Sequence, residues 1–298
     1  MKPIFIVGPT AAGKSALALT VARRWGGVIC AADAFQIYRR MDIGTGKPTI
    51  SEQAAVPHYL LNLRGPLDNF NVAEYLREAE RALMVMPTQV PQIWVGGAGL
   101  YVRALRQGLT LAPESDPELA RTFEGLPLAM LRQEIKKLDP AWCATADLQN
   151  PRRIIRALTV VKQTGRPLSE WRRERSAPLL ADAAGIFLSP PRERNRELIA
   201  ARVRKMWDEG WPDEVRGLLT VSGWRESQSA RALGYLTVVD YLSGKLSKDA
   251  CLEKIILLTC QYAKRQETWF KMEPGFTVTG SVEDGLKKLL RDNRFPEN

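Results

Sequence analysis

The clearest chemical signal in this 298-residue sequence is a glycine-rich segment that fits the phosphate-binding pattern G-x-x-x-x-G-K-[ST]: Gly8-Pro9-Thr10-Ala11-Ala12-Gly13-Lys14-Ser15. In this pattern the backbone wraps a phosphate, helix N-terminal amides point at it, the lysine adds charge and the serine can bind Mg²⁺. An apolar run, Ile4–Val7, precedes the segment, and a helical pattern from Ser15 to Arg24 follows it. This context favours a phosphate cradle over a plain glycine-rich turn, but it does not identify the molecule that carries the phosphate.

A carboxylate is expected beside this loop. The buried-strand pattern Val28–Ala32 ends at Asp33, and ligands of open α/β sheets bind outside the carboxyl ends of the strands. Asp33 could therefore be a general base, a water-mediated Mg²⁺ ligand or a helix N-cap. The third apolar strand, Ile93–Val95, ends at the same edge in Gly96-Gly97-Ala98-Gly99, which predicts a tight turn or a close approach of the backbone to a ligand.

Two stretches could bind nucleic acid. A helix is predicted from Pro151 to Thr164, with an apolar face opposite Arg152, Arg153 and Arg156. Residues 152–175 hold eight basic and two acidic residues, which indicates either a solvated charged face or a phosphate-binding surface. Further along, residues 261–270 combine amides, cations and aromatic rings that suit RNA, but they also fit a long amphipathic helix. These are Gln261, Tyr262, Lys264, Arg265, Gln266, Trp269 and Phe270.

Composition narrows the class of protein. The net charge is +10, which suits a polyanionic partner. Four scattered cysteines and a single histidine, His58, exclude zinc-finger and metalloprotease sites, and a His-based hydrolase would have to depend on His58 alone. No apolar run is long enough to span a membrane, and the chain opens directly into a strand, so we expect a cytoplasmic protein without membrane association.

The order of the predicted elements indicates an α/β fold with a doubly wound parallel sheet. Asn71-Val72-Ala73-Glu74 has capping-box spacing and opens a helix to about Met84. Asp116-Pro117 and Asn150-Pro151 each start a helix, and strands return only at Gly185–Leu188 and near Phe276. We therefore predict a core of residues 1–112 and 185–298, interrupted by a helical insertion of residues 113–184.

Seven motifs in order resemble those of the bacterial tRNA dimethylallyltransferases, and together they span nearly the whole chain. They are GPTAAGKS (8–15), ADAFQIYRRMDIGTGKPT (32–49), PHYL (57–60), VGGAGLYVRAL (95–105), NPRRIIRAL (150–158), SARALGY (229–235) and QYAKRQETWF (261–270). The resemblance implies a P-loop NTPase-like core that binds dimethylallyl diphosphate and a helical insertion that binds the tRNA anticodon stem-loop. It also implies transfer of the dimethylallyl group to the exocyclic amine of the adenosine 3′-adjacent to the anticodon.

The resemblance further implies a role for each matching residue. Gly8 and Thr10 to Ser15 would hold the diphosphate together with Arg231, and Ser15 would help bind Mg²⁺. Asp33 would be the general base, and Lys14 and Arg231 would be catalytic with it. The tRNA would contact residues of four segments: Asp33, Ala34, Phe35 and Gln36; Ala98; Arg121, Arg152, Arg153 and Arg156; and Gln261, Lys264, Arg265 and Gln266. We expect the protein to be a monomer.

The sequence departs from the family pattern at four places. Asp33-Ala34 replaces the usual Asp-Ser, and His58-Tyr59 replaces His-His. Gly97-Ala98 replaces Gly-Gly-Thr, which removes a threonine that contacts substrate in the family. Arg121 stands one position away from the usual arginine of the insertion.

Three alternatives remain open at this stage. An adenylate isopentenyltransferase would act on a free nucleotide, which the basic insertion disfavours. A small-molecule or nucleoside kinase would bind ATP at the same loop, although the third strand ends in Gly-Gly rather than in an Asp. A tRNA-binding protein that has lost catalysis is supported only by Ala34 and Ala98.

Overall fold

The computed structural model describes residues 2–181 and 183–291. Its central element is one sheet of six parallel strands in the order β3-β2-β4-β1-β5-β6. The strands are β1 Ile4–Val7, β2 Val28–Ala31, β3 His58–Tyr59, β4 Gln92–Gly96, β5 Ala184–Leu188 and β6 Phe276–Thr279. The predicted α/β class with a parallel sheet is confirmed.

Helices account for most of the rest of the described chain. Those of the first part are α1 Lys14–Trp25, α2 Ile50–Ala55, α3 Val72–Val85, α4 Gly99–Gln107, α5 Pro117–Phe123, α6 Leu128–Leu138 and α7 Pro140–Cys143. Those of the second part are α8 Pro151–Thr164, α9 Leu168–Trp171, α10 Arg192–Asp208, α11 Trp211–Leu219, α12 Tyr235–Leu242, α13 Lys248–Lys271 and α14 Val282–Arg291. In the part of the chain that the structure describes, none of these helices is both long and apolar enough to cross a membrane.

Local signals placed several helices correctly. Asn71 caps α3 by accepting from the backbone N–H groups of Ala73 and Glu74, and the Glu74 side chain completes the capping box. Asp116 and Asn150 cap α5 and α8 as predicted, each followed by proline. The two-residue strand β3 escaped prediction because a pair of residues carries no readable alternation.

The chain divides into two compact units, residues 1–106 with 180–298 and residues 107–179. In the first unit, the inner face of α1 packs on the sheet through Leu17 and Val21, which meet Ile4, Ile6 and Leu188. Burial of each such aliphatic side chain contributes roughly 1.5–3 kcal/mol. This packing fixes the start of α1, and hence the glycine-rich loop, relative to the end of β1.

The second unit, residues 107–179, has a helical core of its own. Leu131 and Ile135 of α6 pack against Ile154 and Leu158 of α8, with Trp142 between them. A buried aspartate joins the short helices: Asp139 accepts from the backbone N–H groups of Trp142 and Ser169. This arrangement turns the polar face of α8 outward.

Candidate active site

The phosphate loop connects β1 to α1 and is open to an anion. Gly13 adopts a left-handed backbone (φ 88°) and precedes α1 without a side-chain cap. Among the described residues, the N–H groups of Gly13, Lys14 and Ser15 have no hydrogen-bond partner. Free amides and the positive end of a helix dipole make this a ready anion site.

Lys14 is less exposed than a loop cation would be, since it is partly buried as the first residue of α1. Its Nζ donates to the carbonyl oxygen of Pro9 at 2.7 Å. Burial, and after it the positive charge of Arg202, lower the pKa of Lys14 to about 7, although Asp33 partly opposes the change. The ammonium ion is therefore poorly stabilised until a negative ligand arrives.

Asp33 lies two residues beyond the end of β2 and lines the same cavity as Lys14. Its Oδ1 accepts from the backbone N–H groups of Phe35 (2.8 Å) and Gln36 (3.2 Å), which closes a turn rather than capping a helix. Its Oδ2 has no hydrogen-bond partner among the described residues. One carboxylate oxygen is thus held in place and the other is free to accept a proton.

Gln266 of α13 lies far along the chain from the phosphate loop but is hydrogen-bonded to it. Its Oε1 accepts from the backbone N–H of Thr10 (2.8 Å), and its Nε2 donates to the carbonyl oxygen of Gly97 (2.9 Å). The side chain is buried, and a β-carbon at Gly97 would overlap its amide nitrogen. The predicted close approach at Gly97 is therefore made by Gln266. This corrects the expectation that Gln266 contacts tRNA, because both of its polar groups are engaged inside the protein.

The loop of residues 42–47 forms one rim of the cavity and is held in place by two charged side chains, those of Glu214 and the buried Lys47. Glu214 accepts from the backbone N–H groups of Asp42, Ile43 and Gly44 and from the Tyr235 hydroxyl. Lys47 donates to the Tyr38 carbonyl oxygen and to the side chains of Asp42 and Asn62. These contacts give the DIGTGKP segment a structural role that its sequence did not reveal.

Phe35 and Gln36 follow Asp33 closely in the chain, and Gln36 contacts the 42–47 rim. The Gln36 Nε2 donates to the Gly46 carbonyl oxygen at 3.1 Å, so its amide nitrogen is used within the protein. Phe35 lines the cavity and lies 6.5 Å from the Tyr38 ring, centroid to centroid. Ala34 and Ala98 are partly buried, and Ala98 lies at the start of α4.

The phosphate loop, Asp33 and the 42–47 rim all line one cavity of about 1190 Å³. Five residues of the predicted site line it: Thr10, Lys14, Ser15, Asp33 and Arg231. Sequence reasoning missed another lining cation, which belongs to α10 and carried no motif: Arg202. Apolar side chains, among them Ile199, Val203 and Leu258, complete the wall. The cavity thus offers positive charge, one carboxylate and an apolar surface.

Helix α13 presents two different faces. Gln261, Lys264 and Arg265 are exposed, as a nucleic-acid contact requires, and Arg265 also lines the cavity. Phe270 is buried against Phe187 and Phe276, with ring centroids 5.9 and 6.1 Å apart, so it belongs to the core. The Trp269 ring is covered by the Arg103 guanidinium at 4.2 Å. Neither ring is free to stack on a base, contrary to one interpretation of the sequence.

Most basic side chains of residues 152–175 have a partner within the second unit. Arg156 donates to Ser115 Oγ (2.9 Å) and to the Pro113 carbonyl oxygen (2.6 Å), so its guanidinium holds a loop and is not a free phosphate ligand as expected. Others form ion pairs, for example Arg166 with Glu170 and Glu174. Among the described residues, the predicted tRNA contacts that are exposed and without a partner in this unit are Arg121, Arg152 and Arg153.

Fold and site together define a P-loop-type α/β protein whose phosphate cradle faces a carboxylate. A family model described as IPP transferase matches residues 36–273, and the chain belongs to this family. It is 38% identical over 275 residues to tRNA dimethylallyltransferase 1 of Citrifermentans bemidjiense, covering 92% of this chain and 90% of that protein. The family model matches most of the chain after the phosphate loop, and the relative matches 92% of the chain, so the resemblance seen in the motifs is confirmed.

Solved structures of two proteins have a fold similar to that of this chain. The full-length tRNA isopentenylpyrophosphate transferase from Bacillus halodurans is 30% identical, with a TM-score of 0.66 over 98% of this chain and 95% of that one. A eukaryotic dimethylallyltransferase acting on tRNA has a TM-score of 0.81 at 20% identity, covering 100% of this chain and 82% of that one. The second likeness extends the shared fold to a distant relative.

Proposed function

We propose that this protein transfers the dimethylallyl group of dimethylallyl diphosphate to the exocyclic amine of the adenosine 3′-adjacent to the anticodon of tRNA, releasing diphosphate. The observation that carries the proposal is the meeting of an anion-binding loop and a carboxylate with a free oxygen, Asp33 Oδ2, in one cavity. Membership of the IPP transferase family supports it.

The transfer reaction needs both the anion-binding loop and the Asp33 carboxylate. An adenine amine is a weak nucleophile because its lone pair is delocalised into the ring, so a base that accepts its proton during attack is required. The C1–O bond of the allylic diphosphate breaks with its electron pair on oxygen, and the N6–C1 bond forms. Lys14, Arg231 and the loop amides would bind the departing diphosphate. The target base must leave its stack to enter the cavity.

A magnesium ion fits the donor set at the loop. In the described part of the chain there is no cluster of three His, Cys, Asp or Glu residues that could hold a metal alone. Mg²⁺ commonly takes one or two protein oxygens and completes its shell with phosphate and water. The Ser15 hydroxyl would supply one ligand and Asp33 could act through water, and the ion would neutralise charge on the diphosphate.

The exposed arginines of the second unit would receive the anticodon stem-loop, with Arg121, Arg152 and Arg153 as phosphate contacts. In the first unit, the exposed residues Gln261, Lys264 and Arg265 of α13 would also contact the tRNA. A monomeric enzyme is part of the proposal.

The test is a set of parallel incubations of the protein with labelled dimethylallyl diphosphate and unmodified tRNA, AMP or ATP. The proposal predicts labelled tRNA, with the label on N6 of the nucleoside after the anticodon. Labelled AMP would instead indicate an adenylate isopentenyltransferase, phosphate transfer from ATP a kinase, and tRNA binding without label a binding protein. Asp33→Asn should lower kcat by roughly 10²–10⁴-fold while leaving tRNA affinity little changed. Near-normal kcat in this variant would exclude Asp33 as the base.

A further inference from the structure

Arg202 is a cation of the cavity that none of the motifs includes. It lies on the face of α10 that also carries Ile199 and Val203, and all three line the cavity. Its guanidinium lies against Gly46 so closely that a β-carbon at Gly46 would overlap Nη2. Within the described residues it makes no hydrogen bond and no ion pair, whereas Arg106 of the same unit donates to a backbone carbonyl oxygen.

The electrostatic surroundings of Arg202 leave its charge uncompensated. Burial lowers the pKa of Arg202, and the nearby Asp33 carboxylate only partly opposes this. Arg202 in turn lowers the pKa of Lys14, so the two cations lie close enough to repel each other. Within the described residues, Asp33 is the one carboxylate that raises the pKa of both cations. Two partly desolvated cations beside one anion are unfavourable unless a negative ligand joins them.

The shape of the ligand follows from the two cations. The ammonium group of Lys14 is a point charge at the loop, whereas a guanidinium presents a planar fork of donors that matches the oxygens of a phosphate. A ligand with two linked phosphates offers separate oxygens to each. The five N–H donors of Arg202, none of them used inside the described part of the protein, are suited to the phosphate group that carries the leaving oxygen.

We propose that Arg202 is a further diphosphate-binding residue, which contacts the leaving diphosphate from α10 while Lys14 and the loop amides hold it from α1. This inference rests on the proposed function. As the C1–O bond breaks, its electron pair stays on the diphosphate oxygen, and the N–H groups of Arg202 donate to the charge that grows there. The N6 proton passes to Asp33, so atoms and charges balance without another reactant.

The experiment compares Arg202→Gln and Arg202→Lys with a control on the same helix, Arg204→Gln, whose side chain is exposed. Affinity for inorganic diphosphate is measured by calorimetry, and kcat and KM for dimethylallyl diphosphate are measured with tRNA. Arg202→Gln should weaken diphosphate binding by roughly 10–100-fold, as expected when hydrogen bonds to a charged group are removed. It should lower kcat by roughly 10²–10³-fold. Arg202→Lys should recover part of both, and Arg204→Gln should match the wild-type protein.

Unchanged diphosphate affinity in a folded Arg202→Gln protein would overturn the inference and leave Arg202 a structural residue of the 42–47 rim. If that variant does not fold, the decision passes to Arg202→Lys, which keeps the charge and the packing of the stem. Wild-type kcat and diphosphate affinity in Arg202→Lys would show that the guanidinium fork is not used and would equally overturn it. Failure of the proposed function has a different signature: the wild-type protein would bind diphosphate through Arg202 but would not label tRNA.

Discussion

Gln266 accepts a hydrogen bond from the backbone N–H of Thr10, although 256 positions separate the two residues in the chain. The same side chain donates to the carbonyl oxygen of Gly97, so one buried amide ties the phosphate loop to the end of β4. The loop keeps its anion-binding shape through α13 as well as through its own glycines. A helix that would contact tRNA on its exposed face therefore supports the diphosphate site on its buried face.

Replacement of Gln266 by leucine should disturb the site and the fold together. It removes both bonds and leaves the Thr10 N–H and the Gly97 carbonyl without partners, which costs about 1–3 kcal/mol per buried group. We expect a lower free energy of unfolding in urea and weaker binding of inorganic diphosphate. Glu253→Leu, at an exposed position of the same helix, is the control and should change neither quantity. Wild-type diphosphate affinity in Gln266→Leu would mean that the loop holds its shape unaided.

Lys14 should take up a proton when diphosphate binds. With a pKa lowered to about 7, Lys14 is mostly neutral in the free protein at pH 8, and the bound anion favours its charged form. Calorimetry in buffers of different ionisation enthalpy should therefore detect uptake of up to about one proton more than in Lys14→Arg, whose side chain is always charged. Equal uptake by the two proteins would show that Lys14 is already protonated when the ligand arrives. Lys14→Ala should stay folded and nearly lose transfer.

The same pKa makes a prediction about stability. The pKa of Lys14 in the folded state is lower than in the unfolded chain, so the unfolded state binds more protons between about pH 7 and the ordinary lysine pKa. The contribution of Lys14 to the free energy of unfolding should accordingly rise as pH increases through this window. Urea titrations at pH 7 and pH 9 should show a larger increase for the wild-type protein than for Lys14→Met. An equal increase in both proteins would contradict the assignment.

The sequence predicted best what is encoded locally. The phosphate loop, the cap of α3 and the proline starts of α5 and α8 depend on neighbours within four residues, and all were found. The partners of Gln266, the loop carboxylate Glu214 and the cavity cation Arg202 depend on contacts across more than 150 positions. No periodicity or motif reports such contacts, which is why Gln266 was assigned to tRNA and Arg202 was missed.

Arg152 and Arg153 should carry the salt dependence of tRNA binding that the second unit provides. Both are exposed, whereas Arg156 is engaged with Ser115 and Pro113. The double variant Arg152→Gln/Arg153→Gln should flatten the slope of log affinity against log salt by about 0.7–0.9 for each arginine–phosphate interaction that it removes. The charge-matched control is Lys162→Gln/Arg166→Gln, since both residues already pair with glutamates. Equal slopes in the two doubles would indicate general attraction without specific binding of phosphates.

Ala98 replaces the threonine usual in the family, and the structure separates two effects of restoring it. The Ala98 carbonyl oxygen accepts from the N–H groups of Tyr101 and Val102, so Ala98 is the residue that caps α4. Alanine is a poor N-cap, and threonine at such a position typically stabilises by about 0.5–2 kcal/mol. Ala98→Thr should therefore raise Tm whether or not the hydroxyl meets substrate.

The kcat of Ala98→Thr distinguishes two possible states of the native site. If another group, such as the Thr10 hydroxyl or a water molecule, already fills the role of the missing hydroxyl, kcat should change by less than about threefold while Tm rises. If the native site is impaired, kcat should increase by roughly tenfold or more, since a hydrogen bond to developing charge can contribute about 10²–10³ in rate. We expect the first outcome, because Lys14, Ser15, Asp33 and Arg231 all line the cavity and the loop is braced by Gln266. Both quantities come from one pair of proteins, by thermal unfolding and by steady-state transfer to tRNA. A fall in kcat with a raised Tm would contradict both alternatives, since it would mean that this site has adapted to alanine.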